Sequence, residues 1–586
     1  MFRSRLRASF VRMLGSPMAE GGIEARRGGL RPRADGLLEA DRPPAFPIMA
    51  PRLQGELSGA GSVSLSLWGE AGAARLRLAG IEGPLVAAPG RLEGRSGWSL
   101  AVARSAPALA LRGIRPQVEH HAGPLRLELI QRGEDWLVAL GASEAEAARA
   151  SSLSIPAVAA EAEGHIRRCD AMAGADPLLR SLVVQGVHAA LSSCREHEDR
   201  SFAGVAAGLA YGAPARTYYR DSYWTMQLLL RLAPAMAAAQ IDLLAAQVHD
   251  DGEAPSGVIV AGSELTELWE RLRLSRPVLS AIHWRPQEWW SDHFDSPLLF
   301  VLAVGDCVAA TGDDGLADRH WTRLRAVFER YQRLRGPAGA PLKPANDRDW
   351  ADNVVREGLV AYDLGLWVGA LDVLARLGQT RDPELSAQAA QQASLARPAI
   401  EAALWRGRWY ADYVRSDGAA EEHLALDSLT LLRFQAVQEP RALAVLEAVR
   451  AHLESRRNAR QPWGDFGMLC VFPPFARHAD LRDKSSFPYR YHNGADWAWL
   501  DGLYAAERLR RGLPGWRYPL TRWWEYALEQ GWAGAVEYAS PGFGRGSLLQ
   551  AWSSLPASVA LTFAERIAAG DLDERPRQVD PASAGP

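Results

Sequence analysis

Two hydrophobic patterns divide the chain. Between about residues 50 and 140, apolar and polar residues alternate in short runs separated by turn residues, for example at 63–67, 75–78, 125–129 and 136–138. Side chains of a β-strand point alternately to its two faces, so a period of two predicts half-buried antiparallel strands. We predict a small N-terminal antiparallel β-sandwich domain over residues 46–145.

After Ser154 the apolar spacing approaches 3.6 residues, which is typical of helices that bury one face. Six helical hairpins in sequence can close into a toroid of inner and outer helices, with a funnel where the connecting loops meet. We therefore predict a mainly α protein whose residues 150–570 form a six-hairpin (α/α)6 toroid. The candidate helices cover about 155–172, 177–197, 221–233, 235–248, 296–312, 317–335, 362–378, 382–405, 423–437, 440–455, 494–512, 519–531 and 547–569.

The two ends of the chain lack this periodicity. Residues 1–45 are rich in Arg, Gly and Pro and are predicted to be a disordered leader, and Met18 or Met49 could equally be the true start. Residues 571–586 are predicted to be a disordered tail. No apolar h-region follows the basic N-terminus, and even the apolar stretch 297–311 is interrupted by Asp306, so we expect a soluble, cytoplasmic protein with no membrane partner.

Composition excludes several classes of function. The 586 residues are 48% hydrophobic, enough for a sizeable core, and 66 basic against 69 acidic residues give a net charge of -3. A chain without a basic excess is not expected to bind nucleic acid. The four cysteines lack metal-binding spacing and are predicted to be buried free thiols: Cys169, Cys194, Cys307 and Cys470.

Five motifs concentrate carboxylate, aromatic and guanidinium side chains, most of them in the long connections predicted at about 249–295, 336–361, 456–493 and 532–546. A pyranose offers flat apolar faces that Trp can cover and hydroxyls that carboxylates and Arg can bind, while cleavage of its glycosidic bond requires a carboxylic acid. The motifs therefore favour a glycosidase. They lie at 219–224, 289–297, 347–356, 489–499 and 536–542.

At these motifs the sequence resembles the (α/α) toroid glycoside hydrolases: trehalases, relatives of processing α-glucosidase I, and amylo-α-1,6-glucosidases. Asp221-Ser-Tyr223-Trp224 is similar to the Trp-Asp-Ser-Tyr-Trp run of trehalases, with Arg220 in place of the first Trp. Residues 491–499 match the Tyr-His-Asn-Gly-x-x-Trp-Pro-Trp run of amylo-α-1,6-glucosidases, with Ala in place of Pro.

The resemblance also implies catalytic roles. Asp352-Asn353-x-x-Arg356 looks like the Asp-Asn-Ser-Pro-Arg run in which the Asp is the general acid, and Asp349 remains the alternative acid. Glu537 lies in the segment that resembles the one carrying the catalytic base. The substrate-binding residues that we expect are Asp221, Tyr223, Trp224, Asp295, Trp350, Arg356, Tyr491, His492, Asn493, Trp497 and Trp499.

Inverting hydrolysis needs one protonated and one ionised carboxyl group with room for water between them. Trp350 and Val354 could supply the apolar shielding that raises the pKa of Asp352, whereas Arg356 would lower it at close range, so we expect Arg356 to face sugar hydroxyls. The sequence contains no His-x-x-x-His pair and no carboxylate cluster with the spacing of a dedicated metal site. We predict no cofactor and no metal, with calcium left open.

The leading hypothesis is an inverting exo-acting α-glycosidase that releases glucose from a disaccharide or oligosaccharide. One alternative is a sugar phosphorylase, or an epimerase using histidines such as His293 and His492, on the same toroid. Another is a non-catalytic carbohydrate-binding protein. The sequence leaves the sugar, the linkage and the oligomeric state open.

Overall fold

A computed structural model of the chain describes residues 29–50, 52–58, 61–69, 72–168, 175–196, 202–212, 215–261, 285–336 and 339–571. Residues 1–28 of the leader predicted over 1–45, and residues 572–586 of the tail predicted over 571–586, lie outside the described residues.

The N-terminal region forms two antiparallel sheets, in agreement with the alternating pattern. The strands are β1 (Leu30–Pro32), β2 (Leu38–Ala40), β3 (Phe46–Ala50), β4 (Leu53–Ser58), β5 (Gly61–Gly69), β6 (Gly72–Ile81), β7 (Leu85–Ala88), β8 (Arg91–Gly94), β9 (Ser99–Ala103), β10 (Ala108–Arg112), β11 (Pro116–Ala122), β12 (Arg126–Arg132) and β13 (Asp135–Gly141). Eight strands pair in the order β1-β2-β7-β8-β9-β10-β13-β12, and five in the order β11-β6-β5-β4-β3.

The central strands β9, β10 and β13 of the larger sheet are buried on both faces, as the residues of β9 illustrate. In β9, Leu100 and Val102 enter the main core, whereas Ala101 and Ala103 enter a second cluster on the opposite face. The small alanines let two helices approach that face: α1 (Glu144–Ser152) and α2 (Ile155–Arg167). Both helices, which flank the boundary predicted at residue 150, pack on the β sheet, and helical periodicity alone does not reveal which layer a helix packs against.

The predicted leader also extends too far. Residues 30–32 and 38–40 are strands of the larger sheet, and Leu30 and Leu38 are buried. Runs of three residues are too short to display a period of two, so their composition misled the prediction.

The remaining described residues are mainly helical. The helices are α3 (Pro177–Ser193), α4 (Tyr219–Leu232), α5 (Pro234–Ala245), α6 (Ser296–Thr311), α7 (Asp314–Arg333), α8 (Ala361–Gly378), α9 (Pro383–Leu404), α10 (Thr430–Arg433), α11 (Glu439–His452), α12 (Ala498–Arg510), α13 (Arg517–Glu529), α14 (Leu555–Thr562) and α15 (Ala564–Ala568). In succession, α4, α6, α8, α10, α12 and α14 pack on one another, and α14 packs back on α4. In contrast, α7 and α9 bury only part of their surface.

The helix predicted at 423–437 is largely replaced. Only Thr430–Arg433 is α-helical, after a 3-10 turn at Leu426–Leu429, and Gln435 has a positive φ of 52° that ends the helix. Its apolar spacing arises from burial on several sides rather than from a long amphipathic helix.

Short strands give internal structure to the connections before several helices. They are β14 (Cys194–Glu196), β15 (Ala203–Val205), β16 (Arg216–Tyr218), β17 (Gly257–Ala261), β18 (Arg285–Trp289), β19 (Lys343–Asn346), β20 (Arg356–Val360), β21 (Tyr413–Val414), β22 (Ala420–Glu421), β23 (Leu424–Ala425), β24 (Val471–Phe472), β25 (Ala539–Ser540) and β26 (Gly544–Arg545).

Two further predictions concern the thiols and membranes. Cys194, Cys307 and Cys470 are buried and free, as predicted, while Cys169 lies outside the described residues. Among the residues that the structure describes, no helix has both the length and the apolar character needed to cross a membrane.

The close packing of α8 on α10 depends on a glycine. A Cβ at Gly365 would lie 2.5 Å from the carbonyl carbon of Thr430 and 2.6 Å from the amide nitrogen of Leu431. We expect Gly365→Ala to lower the free energy of unfolding by about 1–3 kcal/mol, measured by thermal and denaturant unfolding.

Gly164→Ala is the matched control, because a Cβ at this position in α2 would meet nothing within 4 Å. It should stabilise the protein by about 0.5–1 kcal/mol through helix propensity. Equal stability changes in the two variants would contradict the proposed close contact.

Candidate active site

Residues from the predicted motifs meet at one end of the helical ring. Asp221 lies in the first turn of α4, Asp295 caps α6, and Trp497 immediately precedes α12. Asp352 lies between β19 and β20, before α8, and Glu537 precedes α14. Asp221, Asp295 and Trp497 therefore lie at the N-terminal ends of helices, whose dipoles favour negative charge, while Asp352 and Glu537 lie in connections between helices.

The carboxyl groups of Asp352 and Glu537, 185 positions apart in the sequence, are close enough for their charges to interact. Burial raises the pKa of Asp352 to about 7; the positive charge of Arg220 opposes this, and the charge of Glu537 adds to it. The side chain of Asp352 is 17% exposed, so solvent still reaches it. Such a carboxyl group can hold a proton near neutral pH.

The immediate surroundings of Asp352 are apolar and aromatic. Trp350 and Val354 are buried, and Nδ1 of His492 lies 3.5 Å from Oδ1 of Asp352. Neither of these two atoms has a hydrogen-bond partner within the described part of the chain. Burial and the charges of Arg220 and Arg356 lower the pKa of His492 well below its usual value, so this imidazole is neutral.

Asp349 has the opposite environment. Its two oxygens accept hydrogen bonds from Nε and Nη2 of Arg356 at 3.1 and 2.9 Å, and Nζ of Lys343 lies 3.6 Å away. Burial alone would raise the pKa of Asp349, but the charges of Arg356 and Lys343 outweigh that effect and lower the pKa. Of the two candidate acids, Asp349 is held ionised and Asp352 is not.

Arg356 does not face a substrate, and that expectation is wrong. Its side chain is 1% exposed, and Nη1 donates to Asp412 at 2.9 Å and to Asp427 at 2.7 Å in addition to the bonds with Asp349. Asp427 also accepts a hydrogen bond from the indole of Trp350. Spacing along the sequence could not show that three carboxylates from separate segments converge on this guanidinium.

Glu537 is held by two donors. The hydroxyl of Tyr211 donates to Oε1 at 3.2 Å, and the amide of Ser547 donates to Oε2 at 3.0 Å. Burial raises the pKa of Glu537, while the Ser547 amide, the charge of Lys484 and the Tyr211 hydroxyl oppose that shift. A Cβ at Gly546 would lie 2.4 Å from Oε2, so glycine leaves room for this orientation.

Arg220, Asp221 and Asp295 form the base of the site. Nη1 of Arg220 donates to Asp295 at 3.0 Å, and the hydroxyl of Tyr362 donates to the same oxygen at 3.2 Å. Asp221 accepts a hydrogen bond from Gln550 at 2.8 Å, and burial raises its pKa to about 7. The charges of Glu537 and Asp352 contribute to that increase, which places Asp221 in the same electrostatic environment.

An aromatic cluster surrounds these groups. The ring of Trp497 stacks on His492 at 4.9 Å, and Trp224 stacks on Trp499 at 4.9 Å. Trp350 contacts Trp497 and Trp499 edge to face. These four indoles are 0–2% exposed, so they form the packed wall of the site rather than open platforms.

Two predicted substrate contacts lie elsewhere. The hydroxyl of Tyr223 donates to Asp306 at 3.1 Å within the helical core, because the helical turn points it away from its neighbour Asp221. The side chain of Asn493 accepts from the amide of Phe475 at 2.7 Å and donates to the carbonyls of Phe475 and Ser485. Asn493 therefore stabilises a loop. Tyr491 does lie at the site, because the charges of Asp352 and Glu537 contribute to raising its pKa.

Sequence reasoning missed Tyr211 and Lys484 and noted Arg220 only as a departure from a motif. Tyr211 stands in an Ala-Tyr-Gly segment that carries no signal of its own. The rarity of lysine in an Arg-rich chain is a signal that could have identified Lys484.

One group of side chains could offer ligands to a metal ion. His249, Asp251 and Glu253 bring three potential ligand atoms within 4.8 Å of one another, and His249 also hydrogen-bonds Glu288. Exposed acidic groups of this kind are common without a metal.

Comparison with known proteins shows the fold. No sequence model of a protein family matches the chain, and no curated protein sequence matches it. A rhamnosidase from Klebsiella oxytoca with rhamnose bound superposes with a TM-score of 0.52 and 14% identity, covering 92% of this chain and 98% of that one. A bacterial glucoamylase complexed with acarbose gives a TM-score of 0.53 at 11% identity, covering 92% and 85%.

These neighbours are glycoside hydrolases of the (α/α)6 toroid type, so the resemblance inferred from the motifs is confirmed at the level of the fold. An N-terminal β domain followed by a helical toroid is the architecture that this chain shares with them.

The Arg356 ion pairs generate a stability prediction. Arg356→Ala removes the cation from Asp412 and Asp427 and leaves Asp349 with Lys343 alone, which should cost about 3–5 kcal/mol of unfolding free energy and lower Tm markedly. Differential scanning calorimetry measures the change.

Arg325→Ala is the control, because this exposed arginine pairs with Glu329 on the surface of α7. It should leave Tm almost unchanged. A Tm for Arg356→Ala that equals the control would contradict a structural role of the buried cluster.

Proposed function

We propose that the protein is an inverting exo-acting α-glycosidase on a six-hairpin (α/α)6 toroid, with Asp352 as general acid and Glu537 as general base. The observation that carries the proposal is the interaction of two carboxyl groups, distant in sequence, in one buried centre walled by aromatic rings. A glycoside hydrolase needs two such carboxyl groups with different protonation states.

Asp352 suits the acid role because its pKa, about 7, keeps much of it protonated at neutral pH. In the proposed reaction its proton passes to the glycosidic oxygen as the bond between that oxygen and C1 breaks. The electron pair of the bond leaves with the departing group, and C1 develops positive charge. Because His492 beside Asp352 is neutral, it does not stabilise the ionised form of Asp352 as a cation would.

Glu537 suits the base role because Tyr211 and Ser547 donate hydrogen bonds to its ionised form. In the proposal Glu537 accepts a proton from a water molecule as the water oxygen attacks C1 from the face opposite the leaving group. The product sugar then has the inverted anomeric configuration. Return of a proton from Glu537 to Asp352 through solvent restores the enzyme.

Sugar binding is assigned to the groups beside these two carboxyls. Asp221 and Tyr491 can bind hydroxyls, and Arg220, fixed by Asp295, adds positive charge near Asp352. The glucoamylase and the rhamnosidase of similar fold hold acarbose and rhamnose, which supports a saccharide ligand. A glucoside is the proposed substrate class, following the resemblance of the motifs.

The alternatives predict different measurements. A phosphorylase would require phosphate for cleavage, and a binding protein would retain sugars without forming products. The epimerase alternative relied on His293 and His492, and His293 is buried against Asp295 with its Nδ1 3.4 Å from Oδ1. That packing keeps His293 from a sugar, so the hydrolase remains the proposal.

Loss of either carboxyl group tests the assignment. Asp352→Asn and Glu537→Gln should each lower kcat about 10²- to 10⁴-fold on a panel of α-glucosides, because each removes a proton transfer. NMR of the fresh product should show the β-anomer for the unaltered protein.

Asp318→Asn, an exposed carboxylate on α7, serves as the control and should retain full activity. Normal turnover in both site variants would refute the catalytic roles. Product of retained configuration would refute inversion.

The pH profile provides an independent prediction. Asp352 must be protonated, so kcat/KM should fall as pH rises through about 7, and Glu537 must be ionised, so it should fall as pH drops through its raised pKa. Tyr211→Phe removes a donor to the ionised Glu537, raises its pKa and should move only the acidic limb to higher pH.

Tyr410→Phe is the control, because the Tyr410 hydroxyl donates to Glu401 instead. Its pH profile should match that of the unaltered protein. A shift of the alkaline limb in Tyr211→Phe would mean that the two limbs are assigned to the wrong residues.

A further inference from the structure

Lysine is almost absent from this chain. Of the 66 basic Lys and Arg residues, only Lys343 and Lys484 are lysines. A chain that uses arginine so consistently retains lysine where arginine does not suffice, because the compact ammonium and the planar guanidinium are not interchangeable. Each lysine therefore calls for a local reason.

The reason is evident for Lys343. Its buried Nζ donates to the carbonyl of Asn346 at 2.6 Å, to the Asn346 side chain at 2.7 Å and to the carbonyl of Arg356 at 2.9 Å. Three acceptors around one nitrogen match the three hydrogens of an ammonium group. The planar guanidinium of arginine could not donate to all three acceptors from a single nitrogen.

Lys484 lies beside the proposed base. Its Nζ is 4.7 Å from the ring centroid of Tyr491 and 5.2 Å from that of Tyr538, the residue after Glu537. Its positive charge opposes the rise that burial causes in the pKa of Glu537, and it adds to the lowering of the pKa of His492. The side chain is exposed, and no carboxylate of the described residues lies within 4 Å of it.

Contact with aromatic rings does not explain the choice of lysine. Arg490, in the same segment, lies over the rings of Phe487 and Phe543 at 5.5 and 4.9 Å, and arginine makes such contacts more often than lysine. A requirement for positive charge alone would also be met by arginine. What arginine cannot supply is a small donor that leaves space beside Glu537 for a ligand.

We propose that Lys484 is a specificity-determining residue whose ammonium donates hydrogen bonds to hydroxyl groups of the sugar bound beside Glu537. This inference rests on the proposed function for the place of the sugar. The three donors of an ammonium can bind two neighbouring hydroxyls while its charge remains near the carboxylate of Glu537. None of the motifs that carry the family resemblance contains Lys484.

The chain itself allows a direct test, because Lys484 is exposed and Lys343 is buried. Acetic anhydride should acetylate Lys484 readily and Lys343 hardly at all, as followed by mass spectrometry of the two peptides. D-Glucose, D-mannose and L-rhamnose are tested as protecting ligands, with binding of each measured separately by calorimetry.

A sugar that binds should slow acetylation of Lys484 about tenfold, the order expected for occupying its donors. Unchanged acetylation of Lys484 in the presence of a bound sugar would overturn the inference. This result does not depend on turnover, so it separates failure of the inference from failure of the proposed hydrolysis. If none of the sugars binds, the inference fails, whereas the proposed hydrolysis is decided by turnover of the α-glucoside panel.

Kinetics of two variants supply the second readout. Lys484→Met and Lys484→Arg should each raise KM by about 10- to 100-fold, because neither side chain presents a compact ammonium to the hydroxyls. Arg490→Met, which removes the other ring-contacting cation of this segment, is the matched control and should leave KM within about twofold.

Full activity of Lys484→Arg would show that charge alone is needed and would overturn a specific ammonium contact. A shifted acidic limb with unchanged KM in Lys484→Met would show that Lys484 acts only on the ionisation of Glu537, and this outcome would also overturn the inference.

Discussion

The ion pairs of Arg356 are the interaction on which the site depends. Asp349, Asp412 and Asp427 come from three separate segments, and one buried guanidinium holds them together. A carboxylate buried without this cation would carry a large desolvation cost, so the segments are stable only when assembled. Because Asp352 lies in the loop between Asp349 and Arg356, the same ion pairs fix its position, and Trp350 is fixed through Asp427.

Two aspartates three positions apart thus acquire opposite ionisation. Asp349 is as deeply buried as any carboxyl group here, but Arg356 and Lys343 keep it charged. Asp352 faces aromatic rings, a neutral histidine and the charge of Glu537, while the charge of Arg220 opposes its protonation. Burial alone therefore does not decide which of the two aspartates can hold a proton; the cations that accompany each carboxyl group do. With Arg356 paired in an internal cluster, Arg220 is the cation whose charge acts on Asp352.

The sequence predicts those features of the structure that arise from local interactions, and it does not predict those that depend on residues distant along the chain. Alternation in β5 and β6 and the helical spacing of α8 and α9 express local burial, so these elements were predictable. Asp352 and Glu537 were predicted as a pair through motif resemblance, and in the structure the charge of Glu537 acts on Asp352. Arg356, Tyr223 and Asn493 were misjudged because their partners are distant in sequence, and the positions of Asp412, Asp306 and Phe475 leave no trace in local spacing.

The scarcity of lysine shows that composition can carry positional information. A substitution bias toward arginine acts on every exposed basic position, most of which tolerate either residue because solvent screens the charge. Positions that resist the bias are those where the shape of the cation matters, and Lys343 is one by its three hydrogen bonds. The other lysine, Lys484, lies over Tyr491 and Tyr538, and its charge acts on Glu537. In the proposal, the shape of the cation matters at this position because a sugar binds there. The Arg356 ion pairs position Asp352, and the Tyr211 and Ser547 donors position Glu537. In the proposal, a compact cation beside these carboxyl groups keeps room for the ligand.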